Sequence, residues 1–337
     1  MKYIVCEEPG RFELKTKEIP VRKSGESLLK IKRIGVCGTD IHAFGGTQPY
    51  FEYPRILGHE VAAEYVEGEA EGFNQGDRLT FIPYFHCGEC VACRSGLTNC
   101  CVSIKVFGVH TDGGMAEYVS IPDQFLLKAD DLVYDQLALV EPLAIAAHGV
   151  RRALVLESDT VLIMGAGPIG LGLMEFALLT GAKVIAMDIN DFRLKFCKNE
   201  VGVHTTVNPK NADVAVKLAE LTHGDMPTVV IDATGNRNVM NQAFGYMAHG
   251  GRYVLVGLQK GELQFNHPDF HKRESTLMSS RNASSEDFNH VMECLKSGKI
   301  DANKFITHRS DFEGMIDNFS RWADPENQTI KALISLD

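Results

Sequence analysis

Short runs of alternating apolar and polar residues, closed off by Gly and Pro, mark the chain to about residue 145. Runs 27–34, 61–66, 77–82 and 116–121 predict strands, and together a β-rich, partly barrel-like unit. From Thr160 the period changes. An apolar run at 161–164 leads through a Gly-rich turn into an apolar helix over 169–179. A strand at 183–187, a helix at 192–199 and strands at 228–231 and 252–256 follow. Strands alternating with helices predict a parallel, doubly wound sheet. A helix over 286–296 comes next, and the tail beyond it has no readable period. The fold class is therefore α/β plus β.

At 337 residues the chain is long enough for two domains with a core each. Its net charge of −10, with no Lys/Arg cluster interleaved with aromatics, argues against a nucleic-acid partner. No apolar leader with a small-residue cleavage site and no long uncharged apolar stretch occurs, so a cytoplasmic protein outside the membrane is expected. In that reducing setting the nine cysteines point to metal rather than disulfides. Cys87, Cys90, Cys93 and Cys101 stand at C-x2-C-x2-C-x7-C spacing. Four thiolates close a tetrahedral zinc shell at about 2.3 Å and leave no position for substrate, so this site is structural. Cys100, beside Cys101, is the alternative fourth ligand. Zinc modules also occur in nucleic-acid binders, a reading the acidic charge disfavours.

Gly165, Gly167 and Gly170 form a G-x-G-x-x-G turn that follows the apolar run and opens the next helix through Pro168 and Ile169. The first glycine permits the turn, the second lets backbone approach a pyrophosphate, and the third allows tight helix–sheet packing. Asp188, 23 residues after Gly165, ends the next strand, where a carboxylate accepts both ribose hydroxyls and repels a 2′-phosphate. NAD is favoured over NADP. Arg193 stands near enough in sequence to stack on the adenine or to meet a 2′-phosphate.

A second ligand set lies in Cys37-Gly-Thr39-Asp40-Ile-His42 and Gly58-His59-Glu60. With these motifs, the Cys87 loop, Glu141-Pro142, the Gly165 turn and Asp188 all in order, the chain resembles the zinc-dependent medium-chain alcohol and polyol dehydrogenases over essentially its whole length. The resemblance implies a GroES-like, partly open β-barrel domain at 1–147 and 286–337, with a Rossmann domain inserted at 148–285 and the active site in the cleft. It also implies two zinc ions per chain, NAD, and a homo-oligomer, dimer or tetramer.

In the second metal site the resemblance makes Cys37 and His59 ligands, Glu60 a third or exchangeable ligand, and Asp40 the group that steadies His59. Glu141 stands where ethanol-type enzymes carry cysteine and sorbitol-type enzymes glutamate. It ligates directly or through water, and the choice between Glu60 and Glu141 stays open. Thr39 and His42 resemble a proton relay. The stretch 261–274 with Ser280-Arg281-Asn282-Ala283 resembles bacterial dehydrogenases that oxidise hexonates such as L-galactonate or L-gulonate at C5. By that likeness Arg281 faces the substrate cleft and pairs with a carboxylate or hydroxyls, whereas His271, Lys272 and Arg273 are read as a solvated run. Rival readings are a sorbitol-type polyol dehydrogenase, an L-threonine 3-dehydrogenase sharing the Cys-Gly-Thr-Asp opening, and a dinucleotide-binding sensor.

Overall fold

The computed structural model describes residues 1–48 and 51–336. Contacts divide the chain into one unit of Met1–Ala144 with Ala283–Asp337 and another of Ile145–Asn282. The first junction falls inside the helix Val140–Arg152, where no loop composition announces it. Both junctions come three residues before those the sequence suggests.

The first unit is built on a seven-stranded sheet. Its central strand Glu26–Gly35 pairs antiparallel with Glu60–Glu67, with Tyr118–Pro122 and with the C-terminal strand Lys331–Ser335. Strand Ile306–Asp311 adds to the last of these in parallel. The tail thus completes the sheet begun by the N-terminal part. Its period was unreadable for opposite reasons in its two strands: Lys331–Ser335 is buried on both faces, and Ile306–Asp311 alternates polar residues with polar ones. Buried Ile4, Leu29, Ile31, Ile34, Leu79 and Phe319 belong to the core of this unit.

The second unit carries a six-stranded, all-parallel sheet. In chain order its strands are Thr160–Met164, Lys183–Met187, Thr205–Val207, Val229–Asp232, Arg252–Leu255 and Thr276–Ser279. In space they run third, second, first, fourth, fifth, sixth, the arrangement of dinucleotide-binding sheets. Val229–Asp232 is fully buried and Thr160–Met164 nearly so, as strands covered on both faces must be. The sequence pattern missed the two edge strands, which are short and partly exposed and so lack an apolar run. The helix expected over 192–199 is Asp191–Phe196, extended by a π-type turn at Cys197–Val201. No helix among the described residues is long and apolar enough to cross a membrane.

One packing constraint in the first unit bears directly on the site. Gly58, at φ +91°, precedes His59 and Glu60, and the segments around Gly108 and Gly113 close on its backbone. A Cβ on Gly113 would lie 2.5 Å from the carbonyl oxygens of both Gly58 and Leu57. Since backbone cannot yield as a flexible side chain does, Gly113→Ala should cost about 1–3 kcal/mol of stability, by the usual penalty for overpacking. Urea denaturation checks this, and an unchanged midpoint would show that the segment relaxes freely.

Candidate active site

The four-thiol loop converges. The sulfurs of Cys87, Cys90, Cys93 and Cys101 all lie within 4.8 Å of one another, and this is the one such group of three or more metal-ligating atoms among the described residues. Cys101 is buried and its sulfur accepts the Cys87 N–H at 3.3 Å, while Cys100 is exposed and stands outside the group. Backbone N–H groups of Cys93 and Val102 pull the Cys90 thiol down to about 6. Burial and the neighbouring sulfurs push Cys93 up to about 12. Backbone N–H groups and Cys101 lower the Cys87 thiol as well, so two thiols favour the thiolate while Cys93 resists it, and a divalent cation would relieve that repulsion. The donor set fits zinc.

The second ligand set lies at the edges of the first unit's central strands, and no three of its donor atoms draw together as closely as the four sulfurs do. Cys37 is the N-cap of the helix Gly38–Phe44 and directly follows the strand Glu26–Gly35 and Val36. His59 precedes the strand Glu60–Glu67, whose first residue Glu60 lies opposite Gly35. Asp40 is fully buried and joins the two segments: its carboxylate accepts the Cys37 N–H at 2.9 Å and the Gly58 N–H at 3.2 Å. Its nearer oxygen lies 3.8 Å from His59 Nδ1, beyond hydrogen-bond length. Asp40 is therefore tied to His59 through the backbone N–H of the residue before it.

Burial disfavours the His59 cation, but the Cys37 side chain, Asp40 and Glu141 more than offset it and hold the imidazole well above its ordinary range. Glu141, buried in the first turn of Val140–Arg152, is pushed up to about 7 by loss of solvent, with His59 opposing the shift. The Tyr84 hydroxyl donates to Glu141 Oε1, leaving Oε2 buried without a partner. His59 Nδ1 is the second such orphan of the cluster. Buried polar atoms without partners are costly, and a cation bound among Cys37, His59 and Glu141 would satisfy the carboxylate.

Glu60 differs. Both its oxygens accept from Lys331 Nζ at 2.7 Å, and Lys331 is itself 2% exposed. The sequence offered no signal for Lys331 or Tyr84, since a lone Lys in a tail strand and a Tyr before a cysteine loop carry no spacing rule. Thr39 is half-buried and His42 exposed; the His42 ring meets Thr47 Oγ1 at 3.0 Å.

In the second unit the Gly165 turn takes the form its glycines require. Gly165 has φ +94°, and a Cβ there would lie 3.1 Å from the Ala233 carbonyl; on Gly170 it would lie 1.8 Å from Gly165 O. Gly167 is crowded by neither; only Arg193 Nη1 comes within 3.9 Å of its Cβ position. Gly165 and Gly170 are buried, whereas Gly167, Pro168 and Ile169 at the helix start are half-exposed and able to meet a ligand. Pro168 occupies a first-turn position, where no N–H is needed. Asp188 accepts the Ala166 N–H at 2.7 Å and the Asn190 N–H at 2.8 Å, one on each oxygen. Each oxygen keeps a lone pair for a ribose hydroxyl.

Arg281 follows the edge strand Thr276–Ser279, is exposed, and is engaged in an interaction of its own. Arg273 is not a solvated residue as expected: its Nη1 donates to the carbonyls of Phe244 at 3.1 Å and Met247 at 3.3 Å. Lys272 pairs with Asp269 at 2.8 Å on the surface.

Comparison with known proteins gives two family matches. Residues 23–131 match the alcohol dehydrogenase GroES-like domain, and residues 168–297 match the zinc-binding dehydrogenase domain. The chain is 43% identical to the L-galactonate-5-dehydrogenase of Escherichia coli K12, over 99% of both chains. It is 34% identical to the L-threonine 3-dehydrogenase of Pyrococcus horikoshii, over 92% of this chain and 91% of that one. A crystal structure of an Escherichia coli alcohol dehydrogenase with bound NADH superposes with a TM-score of 0.91 at 31% identity, covering 100% of this chain and 99% of the other.

Two separate donor sets predict two zinc ions per chain in the purified protein. Elemental analysis should find them, and Cys37→Ser should lose one zinc while keeping the fold. At most one well-filled site after growth in adequate zinc would refute this.

Proposed function

The chain belongs to the zinc-binding, GroES-like alcohol dehydrogenase family, and from that footing we propose that it oxidises a secondary hydroxyl of a six-carbon sugar acid, at C5, with NAD⁺ as acceptor. The class is that of a zinc-dependent oxidoreductase acting on polyol-type substrates. The finer substrate reading is carried by the 43% identity to an L-galactonate-5-dehydrogenase over 99% of both chains. It is supported by Arg281, whose guanidinium offers a carboxylate paired hydrogen bonds. A second reading, oxidation of threonine, has in its favour the shared Cys-Gly-Thr-Asp opening and the relative at 34% identity. Sorbitol-type activity is the third, favoured by Glu141. Assembly as a dimer or tetramer and a cytoplasmic setting belong to the same reading.

In this assignment Cys37, His59 and a glutamate hold the zinc. When bound there, zinc supplies Lewis acidity that lowers the pKa of a substrate hydroxyl. The protein's own residues do the rest. Thr39 and His42, three apart on the helix Gly38–Phe44, share a face. A half-buried hydroxyl followed by an exposed imidazole is the order in which a proton can pass from a reacting hydroxyl to water. Gly165, Gly167 and Gly170 bring backbone and the helix start at Pro168 and Ile169 to the pyrophosphate, and Asp188 accepts the ribose hydroxyls. Arg193, whose Nη1 lies 3.9 Å from where a Cβ on Gly167 would stand, is read as the residue that stacks on the adenine or meets a 2′-phosphate.

Two measurements test the reading. First, kcat/KM for L-galactonate and L-gulonate should exceed that for sorbitol and threonine, and Arg281→Ala should lower the hexonate value by about ten-fold or more, the loss of a paired, charge-assisted contact. Faster turnover of sorbitol or threonine than of every hexonate would reassign the substrate. Second, the wild type should prefer NAD⁺, and Asp188→Ala should raise the KM for NAD⁺ far more than that for NADP⁺. Equal use of both cofactors by the wild type would contradict the role given to Asp188.

A further inference from the structure

We propose that Tyr84 and Lys331 are positioning residues that sort the two buried glutamates of the metal centre: Lys331 keeps Glu60 off the ion, and Tyr84 fixes Glu141 so that one of its oxygens ligates. The inference rests on the dehydrogenase reading, because it concerns the zinc that Cys37 and His59 would hold. Neither residue is assigned a role by the family matches or by the relatives.

The ammonium of Lys331 has three protons and three acceptors. Nζ donates to Glu60 Oε1 and Oε2, each at 2.7 Å, and to the Val36 carbonyl at 3.1 Å. It is saturated. Lys331 and Glu60 are 2% and 1% exposed, so water cannot replace either partner. If Glu60 turned to a metal, the ammonium would stay buried with a single carbonyl for company, and a buried charge stripped of its partner is strongly unfavourable. Space for the paired position is provided across the ladder: a Cβ on Gly35 would lie 2.1 Å from Glu60 Oε2. The carboxylate fills the room that this glycine leaves.

Glu141 is arranged the other way. It is also 2% exposed, yet only Oε1 has a partner, the Tyr84 hydroxyl, and Oε2 is buried with none. Tyr84 is 3% exposed and its ring meets Phe288 edge-on at 6.1 Å, which leaves the hydroxyl little freedom to look elsewhere. One carboxylate is thus fully claimed by a cation of the protein, and the other presents a single unclaimed oxygen. Were Glu60 the ligand, the reverse distribution would be expected.

Metal affinity by chelator competition and the visible spectrum of the cobalt-substituted protein test the division of roles, with the Cys37→Ser spectrum subtracted to remove the four-thiol site. Glu60→Gln should keep two metals per chain and a wild-type cobalt spectrum. Glu141→Gln should weaken one metal by about ten-fold or more, and Tyr84→Phe should do so to a smaller degree. Lys331→Gln should alter the cobalt spectrum as the released Glu60 reaches the ion; adding Glu60→Gln should restore it, and Lys331→Arg should leave it unchanged. Should Lys331→Gln fail to fold, the comparison of Glu60→Gln with Glu141→Gln decides. Loss of one metal in Glu60→Gln with full retention in Glu141→Gln overturns the sorting, as does a wild-type spectrum in folded Lys331→Gln. A wild type that binds no second metal overturns the underlying reading instead.

Discussion

Three carboxylates, those of Asp40, Glu60 and Glu141, lie within 2% of complete burial in one unit, beside a thiol and an imidazole and with a single buried ammonium to answer them. Burying charge is tolerable only where each charge is paired or hydrogen-bonded, and the surrounding structure is organised to meet that condition. Asp40 is neutralised by backbone N–H groups from the two ligand-bearing segments, which at the same time ties those segments together. Glu60 takes the one lysine. Glu141 receives only a phenol, and burial pushes its pKa up to about 7 as a result. One oxygen of Glu141 stays buried without a partner, and it is the atom of this cluster that a bound cation would satisfy.

The same unit shows how backbone geometry serves that charge cluster. Gly58, Gly108 and Gly113 meet backbone to backbone, which anchors the turn from which His59 and Glu60 enter their strand. The dinucleotide unit uses glycine for the same purpose, with Gly170 against the Gly165 carbonyl and Gly167 left uncrowded. Asp188, the residue proposed to hold the ribose, also accepts the Ala166 N–H within the glycine turn. A charge-removing substitution there disturbs the turn as well as the specificity.

Legibility followed the range over which each signal acts. The buried strands Thr160–Met164 and Lys183–Met187 and the helix Pro168–Leu179 could be read because each is a continuous apolar run with glycine at its boundary. The edge strands Thr205–Val207 and Thr276–Ser279 could not, because an edge needs less apolar cover. Arg273 was misjudged for a related reason: a basic residue after His271 and Lys272 looks like a surface run, and only the fold reveals the two carbonyls it caps.

By itself the sequence determined those features in which neighbours along the chain are also neighbours in space: the four-thiol loop, the glycine turn with its following carboxylate, and the alternation that separates a β-rich unit from a parallel sheet. The tertiary structure decided what lies between distant segments. Cys101 rather than Cys100 joins the thiol group because Cys100 ends the short helical turn Thr98–Cys100 with its side chain exposed, whereas Cys101, the residue that leaves the turn, is buried among the other sulfurs. Whether Glu60 or Glu141 is free to bind a cation depends on partners 271 and 57 residues away, Lys331 and Tyr84. Charge compensation acts through space, so no spacing rule along the chain could have assigned it.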